Sequence, residues 1–268
     1  MSDFRDIRFD RPDPQIARIT LARPRQMNAY TTRMCEELVQ AIEIYLKDDA
    51  LRALIVTGAG RAFCSGGDVS GADEAHGELM KTQLSHAREM RDGMHRVIRA
   101  LHALDKPVIA MVNGPAVAGG LTLALACDVR IAADTARLGD TSGKFGLLPD
   151  EGGAWLFPRA MGIDHALKMT LLAEIYEAQR ALELGLVSEV VPEAELAART
   201  MELARAFAAR APIAVRLAKA MMNRALTQTL DQSLGDAALS VMIANPTHDV
   251  REGVKAFFEK REPKFEGR

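Results

Sequence analysis

The sequence predicts an α/β protein in which strands and helices alternate in the N-terminal part and helices predominate in the C-terminal part. Short apolar runs that suit buried strands alternate with amphipathic segments as far as Gly153, and nearly every periodic segment beyond it is helical. Of the 268 residues, 48% are hydrophobic and 26% are charged, which is typical of a globular protein and argues against disorder. A chain of this length can bury one large core.

The charge balance and the cysteines argue against several functional classes. A formal net charge of −2 gives no general attraction to nucleic acid or to an anionic membrane. The three cysteines and six histidines show no ligand spacing, so we expect reduced thiols and no metal site. No apolar run is long enough to span a membrane, and Asp3, Asp6 and Asp10 argue against a signal peptide. We therefore expect a soluble, cytoplasmic protein.

The first elements predict the beginning of the α/β part. Residues 4–9 and 16–22 favour two short strands, separated by a turn at residues 11–14, which read RPDP. A helix follows, for which Thr31 or Thr32 is the expected cap. The apolar face of this helix consists of Met34, Leu38, Ala41, Ile42 and Tyr45.

Three further strands are predicted over residues 54–56, 108–112 and 129–132. They are compact apolar runs, as expected for strands that are buried on both faces of a parallel sheet. One long helix with apolar positions from residue 84 to residue 101 is expected between the first two, and a helix of small residues, 119–126, between the last two.

Beyond Gly153 the pattern predicts helices and a single late strand. The helices are predicted over residues 194–208, 213–226 and 237–243, and the strand over residues 186–191. We accordingly divide the chain into an α/β core, residues 1–195, and a C-terminal helical region, residues 196–268.

Two glycine-rich turns, each after a buried strand, are the first candidates for chemistry. Residues 61–68 read RAFCSGGD, and residues 113–120 read NGPAVAGG and open the small-residue helix. Two backbone N–H groups that converge from such turns can form an oxyanion hole. For each turn alone, the alternative is that glycine only permits a tight turn or close packing. Neither turn matches a nucleotide-binding phosphate loop.

Taken together, these motifs resemble those of the enoyl-CoA hydratase/isomerase (crotonase) superfamily over nearly the whole chain. The similar segments are residues 22–29, 56–68, 106–120, 126–128, 146–153, 181–191 and 251–261. The resemblance implies a spiral of β-β-α turns with a C-terminal helical trimerisation region, assembled as a homotrimer or a dimer of trimers. It also implies an acyl-CoA substrate and no cofactor beyond the CoA moiety of that substrate.

The resemblance assigns the oxyanion hole to the backbone N–H groups of Gly67 and Gly119, which would bind the thioester oxygen as it becomes negative. It also implies contacts to CoA along the chain. Those within one chain are Arg25 near the phosphates and Ser65, Asp68 and Val69 along the adenine and pantetheine. Those that reach the CoA of a neighbouring subunit are Phe257 and Lys260.

Both catalytic glutamates of the family's hydratases are absent from this chain. The matching positions are Thr122 and Ser142, whose hydroxyls need an activating group to act as bases near neutral pH. Asp150, in the segment LPDEGG, matches a catalytic aspartate of dienoyl-CoA isomerases, epoxyphenylacetyl-CoA isomerase and 4-chlorobenzoyl-CoA dehalogenase. Judged by its local sequence, Asp150 is instead a turn residue or the cap of the next helix.

Three further side chains are assigned lesser roles. Glu151 is expected to point away from the site or to support the start of the helix. His86 and His95 are expected to lie on solvated helix faces, and assistance at the acyl pocket is the alternative. The polar segment 73–78 is a further source from which a second carboxylate could enter the site.

The leading functional prediction is isomerisation of an enoyl-CoA double bond with Asp150 as acid and base. One carboxylate can remove a proton and return it elsewhere on the same face, whereas hydration normally uses two groups. The alternatives are an enoyl-CoA hydratase, a thioester hydrolase or dehalogenase, and a catalytically silent acyl-CoA-binding subunit. RNA binding, which some family members show, is not expected at this net charge.

Overall fold

The computed structural model describes residues 4–68 and 83–268. In chain order the strands are β1 (Ile7–Asp13), β2 (Ile16–Leu21), β3 (Ala53–Gly58), β4 (Val108–Val112), β5 (Ala116–Val117), β6 (Val129–Ala133), β7 (Arg137–Gly139), β8 (Ile175–Glu177) and β9 (Glu189–Val191). Six of them form one sheet in the order β1-β2-β3-β4-β6-β9, and β5, β7 and β8 form a second sheet. Only β1–β2 is antiparallel in the large sheet, and only β7–β8 in the small one.

The helices of the described residues surround the large sheet and extend beyond it. They are α1 (Thr32–Lys47), α2 (Gln83–Asp92), α3 (Met94–Ala103), α4 (Gly119–Leu125), α5 (Gly153–Met161), α6 (Ile163–Leu172), α7 (Ala178–Glu183), α8 (Leu196–Ala208), α9 (Pro212–Ala225), α10 (Leu230–Ala244) and α11 (His248–Glu259). Short 3₁₀ turns lie at Pro24–Gln26, Ser142–Phe145 and Glu193–Glu195. Within the described part of the chain, none of the helices combines the length and the apolar composition that crossing a membrane requires.

The large sheet is buried on both faces, which explains its continuous apolar runs. Successive side chains of a strand point to opposite faces, so Leu54 and Val56 enter one core while Ala53 and Ile55 enter the other. The apolar face of α1 covers the first core, and α8 covers the second. The three strands predicted from these runs are confirmed as β3, β4 and β6.

The predicted helix at residue 32 is confirmed, and Thr31 is its cap. The Thr31 hydroxyl accepts a hydrogen bond of 3.1 Å from the backbone N–H of Met34. Leu38 and Tyr45 of the predicted apolar face are at most 1% exposed. The Tyr45 hydroxyl donates to the carbonyl of Pro107, just before β4.

The first hairpin differs from its prediction because β1 continues to Asp13. Asp13 pairs with Ile16, so the turn is shorter than the predicted one at residues 11–14. Pro12 lacks an N–H for the ladder, and it lies where the register shifts between Asp10 and Asp13. An edge strand tolerates such a break, and β1 is at the edge of the sheet.

Two further predictions are wrong in detail. The long helix is interrupted at Gly93, which separates α2 from α3 and where a Cβ would lie 2.8 Å from the carbonyl oxygen of Glu89. The predicted late strand is present as β9, but β8 also forms beyond Gly153. Three residues are too few to produce a periodic pattern, so only the pairing of β8 with β7 defines this strand.

The α/β architecture with a helical C-terminal region is confirmed. The helix α8 packs on the large sheet through Leu196, Ala204 and Ala208. By contrast, α9, α10 and α11 carry large apolar side chains at the surface. These exposed residues include Met222, Leu230, Leu234, Leu239, Met242, Ile243, Val254, Phe257 and Phe258. The division after residue 195 stays a prediction.

Candidate active site

The two glycine-rich turns lie side by side in the structure. Cys64 and Ala116 form an isolated parallel bridge, which joins one turn to the other. A Cβ on Gly66 would lie 3.6 Å from the backbone nitrogen of Gly119. The fold therefore brings Gly67 and Gly119 into the same neighbourhood, although their sequence positions are far apart.

The ring of Tyr30 lies against both glycines. Tyr30 forms a second isolated bridge with Gly67, in which its N–H donates to the Gly66 carbonyl and its carbonyl accepts from the Asp68 N–H. A Cβ on Gly67 would lie 3.4 Å from Cζ of Tyr30, and a Cβ on Gly119 would lie 2.6 Å from Cε1. The absence of both side chains therefore makes room for this ring.

The backbone is strained immediately before Gly119. Ala118 has a φ of 50° and a ψ of −125°, outside the favoured regions of a residue with a side chain. Its N–H donates to the carbonyl of Gly139 in β7 at 3.0 Å, which holds the turn in place. Gly119 is the first residue of α4, where a backbone N–H has no acceptor within the helix.

Glu151 points into this neighbourhood, so the expectation that it points away is wrong. Its side chain is buried, and its Oε1 accepts a 2.8 Å hydrogen bond from the Tyr30 hydroxyl. A Cβ on Gly119 would lie only 2.5 Å from the same oxygen. Gly152, with a φ of 124°, reverses the chain before α5 and turns residue 151 inward.

Asp150 lies beside Glu151 but is more exposed. Its side chain is 33% exposed, and its Oδ2 lies 3.2 Å from Nε2 of His86. His95 donates from Nε2 to the backbone carbonyl of Asp150 at 2.7 Å. The expectation of solvated histidines is therefore wrong, because α2 and α3 lie against this turn. Asp150 is also not the helix cap, a position that Gly152 occupies.

The electrostatic environment of Glu151 favours its protonated form. Burial raises the pKa of Glu151 to about 7, and the negative charges of Asp150 and Asp140 act in the same direction. Hydrogen bonds from its own backbone N–H and from the Tyr30 hydroxyl oppose this shift because they stabilise the carboxylate. Burial raises the pKa of Tyr30 as well, so that the hydroxyl keeps its proton and remains a donor.

Thr122 and Ser142, the positions expected from the resemblance to match the hydratase glutamates, are both buried. Thr122 is fully buried, and a Cβ on Gly152 would lie 3.6 Å from its Cγ2. Ser142 is buried, and its N–H donates to the carboxylate of Asp140 at 3.0 Å. Thr122 therefore borders the turn before α5 without adding a carboxyl group to it.

Two of the predicted CoA contacts are neighbours in the structure. Arg25 is exposed in the turn Pro24–Gln26, and Ser65 donates from Oγ to the carbonyl of Gln26 at 3.4 Å. Asp68 is buried and forms an ion pair of 2.6 Å with Arg23. The Arg23 partner gives Asp68 a clear structural role next to Gly67.

The other predicted CoA contacts lie apart from these. Val69 and the segment 73–78 are outside the described residues. Phe257 lies on α11, 79% exposed and edge-to-face against Phe258, and Lys260 ends that helix in a left-handed conformation. Across the described residues, His, Cys, Asp and Glu form no group that could hold a metal ion.

Two groups of this site have no role in the sequence-based prediction. Tyr30 carries no motif of its own, and only the fold brings its ring against Gly67 and Gly119. Asp140 is fully buried, and its Oδ2 makes no hydrogen bond to the described part of the chain. The sequence feature that could have identified Glu151 as a site residue is its position next to Asp150, because both belong to the turn before α5.

Comparison with known proteins agrees with this architecture. Residues 12–268 match the family model of enoyl-CoA hydratase/isomerase. The chain is 37% identical to the 1,2-epoxyphenylacetyl-CoA isomerase of Escherichia coli, with 93% of this chain and 94% of that protein covered. It is 38% identical to a Rhodobacter capsulatus protein named probable enoyl-CoA hydratase, with 94% and 95% covered.

Solved structures agree as well. An enoyl-CoA hydratase from Bacillus anthracis superposes with a TM-score of 0.92 at 33% identity, covering 98% of this chain and 100% of that one. The predicted crotonase-type fold is thereby confirmed. The chain belongs to the enoyl-CoA hydratase/isomerase family.

Proposed function

We propose that the protein isomerises the double bond of an enoyl-CoA by moving a proton between two carbons of the acyl chain. The N–H groups of Gly67 and Gly119 bind the thioester oxygen, and Asp150 removes and returns the proton. One observation carries the proposal: the Tyr30 ring lies against both glycines, and its hydroxyl donates to Glu151, the neighbour of Asp150. A carboxyl-bearing turn therefore lies beside two candidate oxyanion donors.

Isomerisation is favoured over hydration by the residue types at positions 122 and 142. Thr122 and Ser142 offer hydroxyls where hydratases of the family carry glutamates, and a single carboxylate is sufficient for a proton shuttle. The similarity to the 1,2-epoxyphenylacetyl-CoA isomerase supports the same choice. Dissociation of the α-proton is made easier when two backbone donors stabilise the resulting enolate oxygen.

Hydration is the second candidate, and Glu151 is the observation that favours it. Adding water to a 2-enoyl-CoA needs a base for the water and an acid for the α-carbon. Asp150 and the buried Glu151, whose pKa is raised to about 7, could divide these roles. The similarity to proteins named as hydratases is compatible with this candidate.

One experiment separates the two activities. Purified protein is assayed for conversion of 3-hexenoyl-CoA to 2-hexenoyl-CoA and for hydration of crotonyl-CoA. We expect isomerisation at an enzymatic rate and slow hydration, and Asp150→Asn should lower isomerisation by about 10²–10⁴-fold. Asp164→Asn, which changes an exposed carboxyl on α6, is the control and should have little effect. Rapid hydration without isomerisation, or full activity of Asp150→Asn, contradicts the proposal.

The proposed substrate is bound between subunits. CoA lies along Arg25, Ser65, Asp68 and Val69 of one chain, and Phe257 and Lys260 of a neighbour complete the site. The exposed apolar side chains of α9, α10 and α11 support self-association as a homotrimer or a dimer of trimers, since a patch of this kind is normally covered.

A further inference from the structure

The carboxyl of Glu151 occupies space that Gly119, one of the two proposed oxyanion donors, leaves open. Any side chain on Gly119 would collide with it, because a Cβ there would lie 2.5 Å from Oε1 and 3.0 Å from Cδ. Only 6% of Glu151 is exposed. The carboxyl is therefore enclosed beside the position at which the thioester is proposed to bind.

The two oxygens of this carboxyl are in different situations. Oε1 accepts the hydrogen bond from Tyr30, whereas Oε2 is buried and makes no hydrogen bond to the described part of the chain. A buried carboxyl oxygen without a partner is costly, particularly when it carries charge. Protonation of Oε2 removes the charge and leaves an O–H that can be donated to a bound molecule.

Four titratable groups face Glu151 from the surrounding elements, and the charged ones oppose loss of its proton. They are Tyr30 after β2, Cys64 in the first glycine turn, Asp140 after β7, and Asp150 in its own turn. Burial raises the pKa of the Cys64 thiol to about 12, so it remains neutral. The charged members of the set are therefore carboxylates, which oppose ionisation of Glu151.

We infer that Glu151 is a second proton-transfer group of this site, positioned by Tyr30 and exchanging its proton with the acyl chain through Oε2. The inference rests on the proposed function. It extends that proposal because two carboxyls share the proton transfer: Asp150 removes the proton and Glu151 returns one. Asp150 faces the histidines, whereas Glu151 faces Gly119.

In this division the Asp150 carboxylate takes the α-proton of a 3-enoyl-CoA. The electron pair of the broken C–H bond enters a dienolate, whose oxygen is bound by Gly67 and Gly119. The O–H bond of Glu151 then breaks as its proton forms the new C–H bond at the γ-carbon, with the electron pair supplied by the dienolate. Asp150 is left protonated and Glu151 ionised, and a proton passes from the first to the second through solvent before the next turnover.

A purely structural role for Glu151 and a role as proton donor predict different effects of the substitution Glu151→Gln. If Glu151 only held Tyr30, glutamine would replace it, because an amide oxygen accepts the same hydrogen bond. As a proton donor it cannot be replaced by glutamine, which has a similar shape and no titratable proton. Glu151→Gln therefore separates the two roles without leaving a cavity.

The test measures isomerisation of 3-hexenoyl-CoA from pH 5 to pH 9 in wild type, Glu151→Gln and Tyr30→Phe. Wild-type kcat should fall as the pH rises through about 7, because the donor is lost on ionisation. Glu151→Gln should lower kcat by about 10²–10⁴-fold and abolish this decline. Tyr30→Phe removes a bond that stabilises the carboxylate, so the decline should move to higher pH. Circular dichroism and the melting temperature confirm that both variants fold.

If Glu151→Gln has the same kcat and the same pH profile as the wild type, the inference is overturned and the proposed function still stands. If wild type does not isomerise 3-hexenoyl-CoA, the proposed function fails instead. Exchange of the γ-protons of crotonyl-CoA with deuterated water, followed by NMR in the same three proteins, then decides the role of Glu151, because its carboxylate takes the γ-proton in the reverse direction. Equal γ-proton exchange rates in wild type and Glu151→Gln would overturn it.

Discussion

The Tyr30 hydroxyl donates a hydrogen bond of 2.8 Å to Oε1 of Glu151, a residue 121 positions further along the chain. This bond joins the segment after β2 to the turn before α5. Gly67 and Gly119 both lie against the Tyr30 ring, so the bond crosses the place where the two glycine turns meet. A substitution at either glycine should therefore alter the position of the Glu151 carboxyl.

Gly119→Ala should reduce activity at least tenfold while the protein still folds. The added Cβ would meet side-chain atoms, Oε1 of Glu151 and Cε1 of Tyr30, at 2.5–2.6 Å. Because side chains can move, we expect both groups to be displaced and the N–H of residue 119 to remain. The measurement is kcat for the acyl-CoA substrate together with the melting temperature.

Gly120→Ala is the matched comparison and should prevent stable folding. A Cβ at this position would overlap the backbone carbonyl of Cys64, which belongs to the bridge between the two turns. Backbone in a buried bridge cannot move aside as a side chain can. At Gly235 on α10, an added Cβ would meet no atom of the described residues within 4 Å apart from its own stretch of helix, so Gly235→Ala serves as the control. A Gly119→Ala protein as unstable as Gly120→Ala would contradict this distinction.

Protonated Glu151 should stabilise the fold at low pH, and the benefit should be lost as the pH rises. The pKa is raised from 4.5 to about 7 in the folded protein, so the contribution is complete below about 4.5 and disappears through about 7. A shift of this size corresponds to at most about 3 kcal/mol. Melting temperatures of wild type and Glu151→Gln, compared at pH 5.5 and 8.5, test this. The wild type should lose more stability between these values, and parallel behaviour would contradict the prediction.

Arg23 and Asp68 should be strongly coupled in stability. Their side chains are 15% and 5% exposed, and the ion pair measures 2.6 Å. Either substitution removes a short ion pair between largely buried side chains, so Arg23→Met and Asp68→Leu should each cost about 3–5 kcal/mol. The double variant should lose less than the sum, as measured by urea unfolding in a double-mutant cycle. Simple additivity would show that the pair is not an important interaction.

Phe257→Ala should weaken CoA binding and self-association without lowering the stability of the single chain. The side chain is 79% exposed in one subunit, so little packing within the chain is lost. Phe258→Ala, its equally exposed neighbour, is the control for a general effect of this patch. Calorimetry with acetyl-CoA and sedimentation velocity are the measurements. Unchanged affinity and assembly in Phe257→Ala would remove it from the shared site.

The elements that the sequence identifies are those whose burial produces a repeated pattern. Residues 54–56 and 108–112 are apolar at every position because both faces of the large sheet are covered, and α1 shows one apolar face together with its Thr31 cap. The motifs of the two glycine turns identify the family through their order and spacing. These properties belong to local segments, so they can be recognised without coordinates.

The tertiary structure alone decides which side chains meet inside the site. Asp150 and Glu151 are consecutive acids in one turn, and the sequence alone does not indicate which of them is enclosed. The φ of 124° at Gly152 turns Glu151 inward, where burial raises its pKa to about 7, and leaves Asp150 beside His86. Tyr30 joins them because its ring fills the space beside two glycines, a contact between segments that are distant along the chain. Packing between such segments leaves no local pattern, and for this reason the identity of the buried carboxyl depends on the fold.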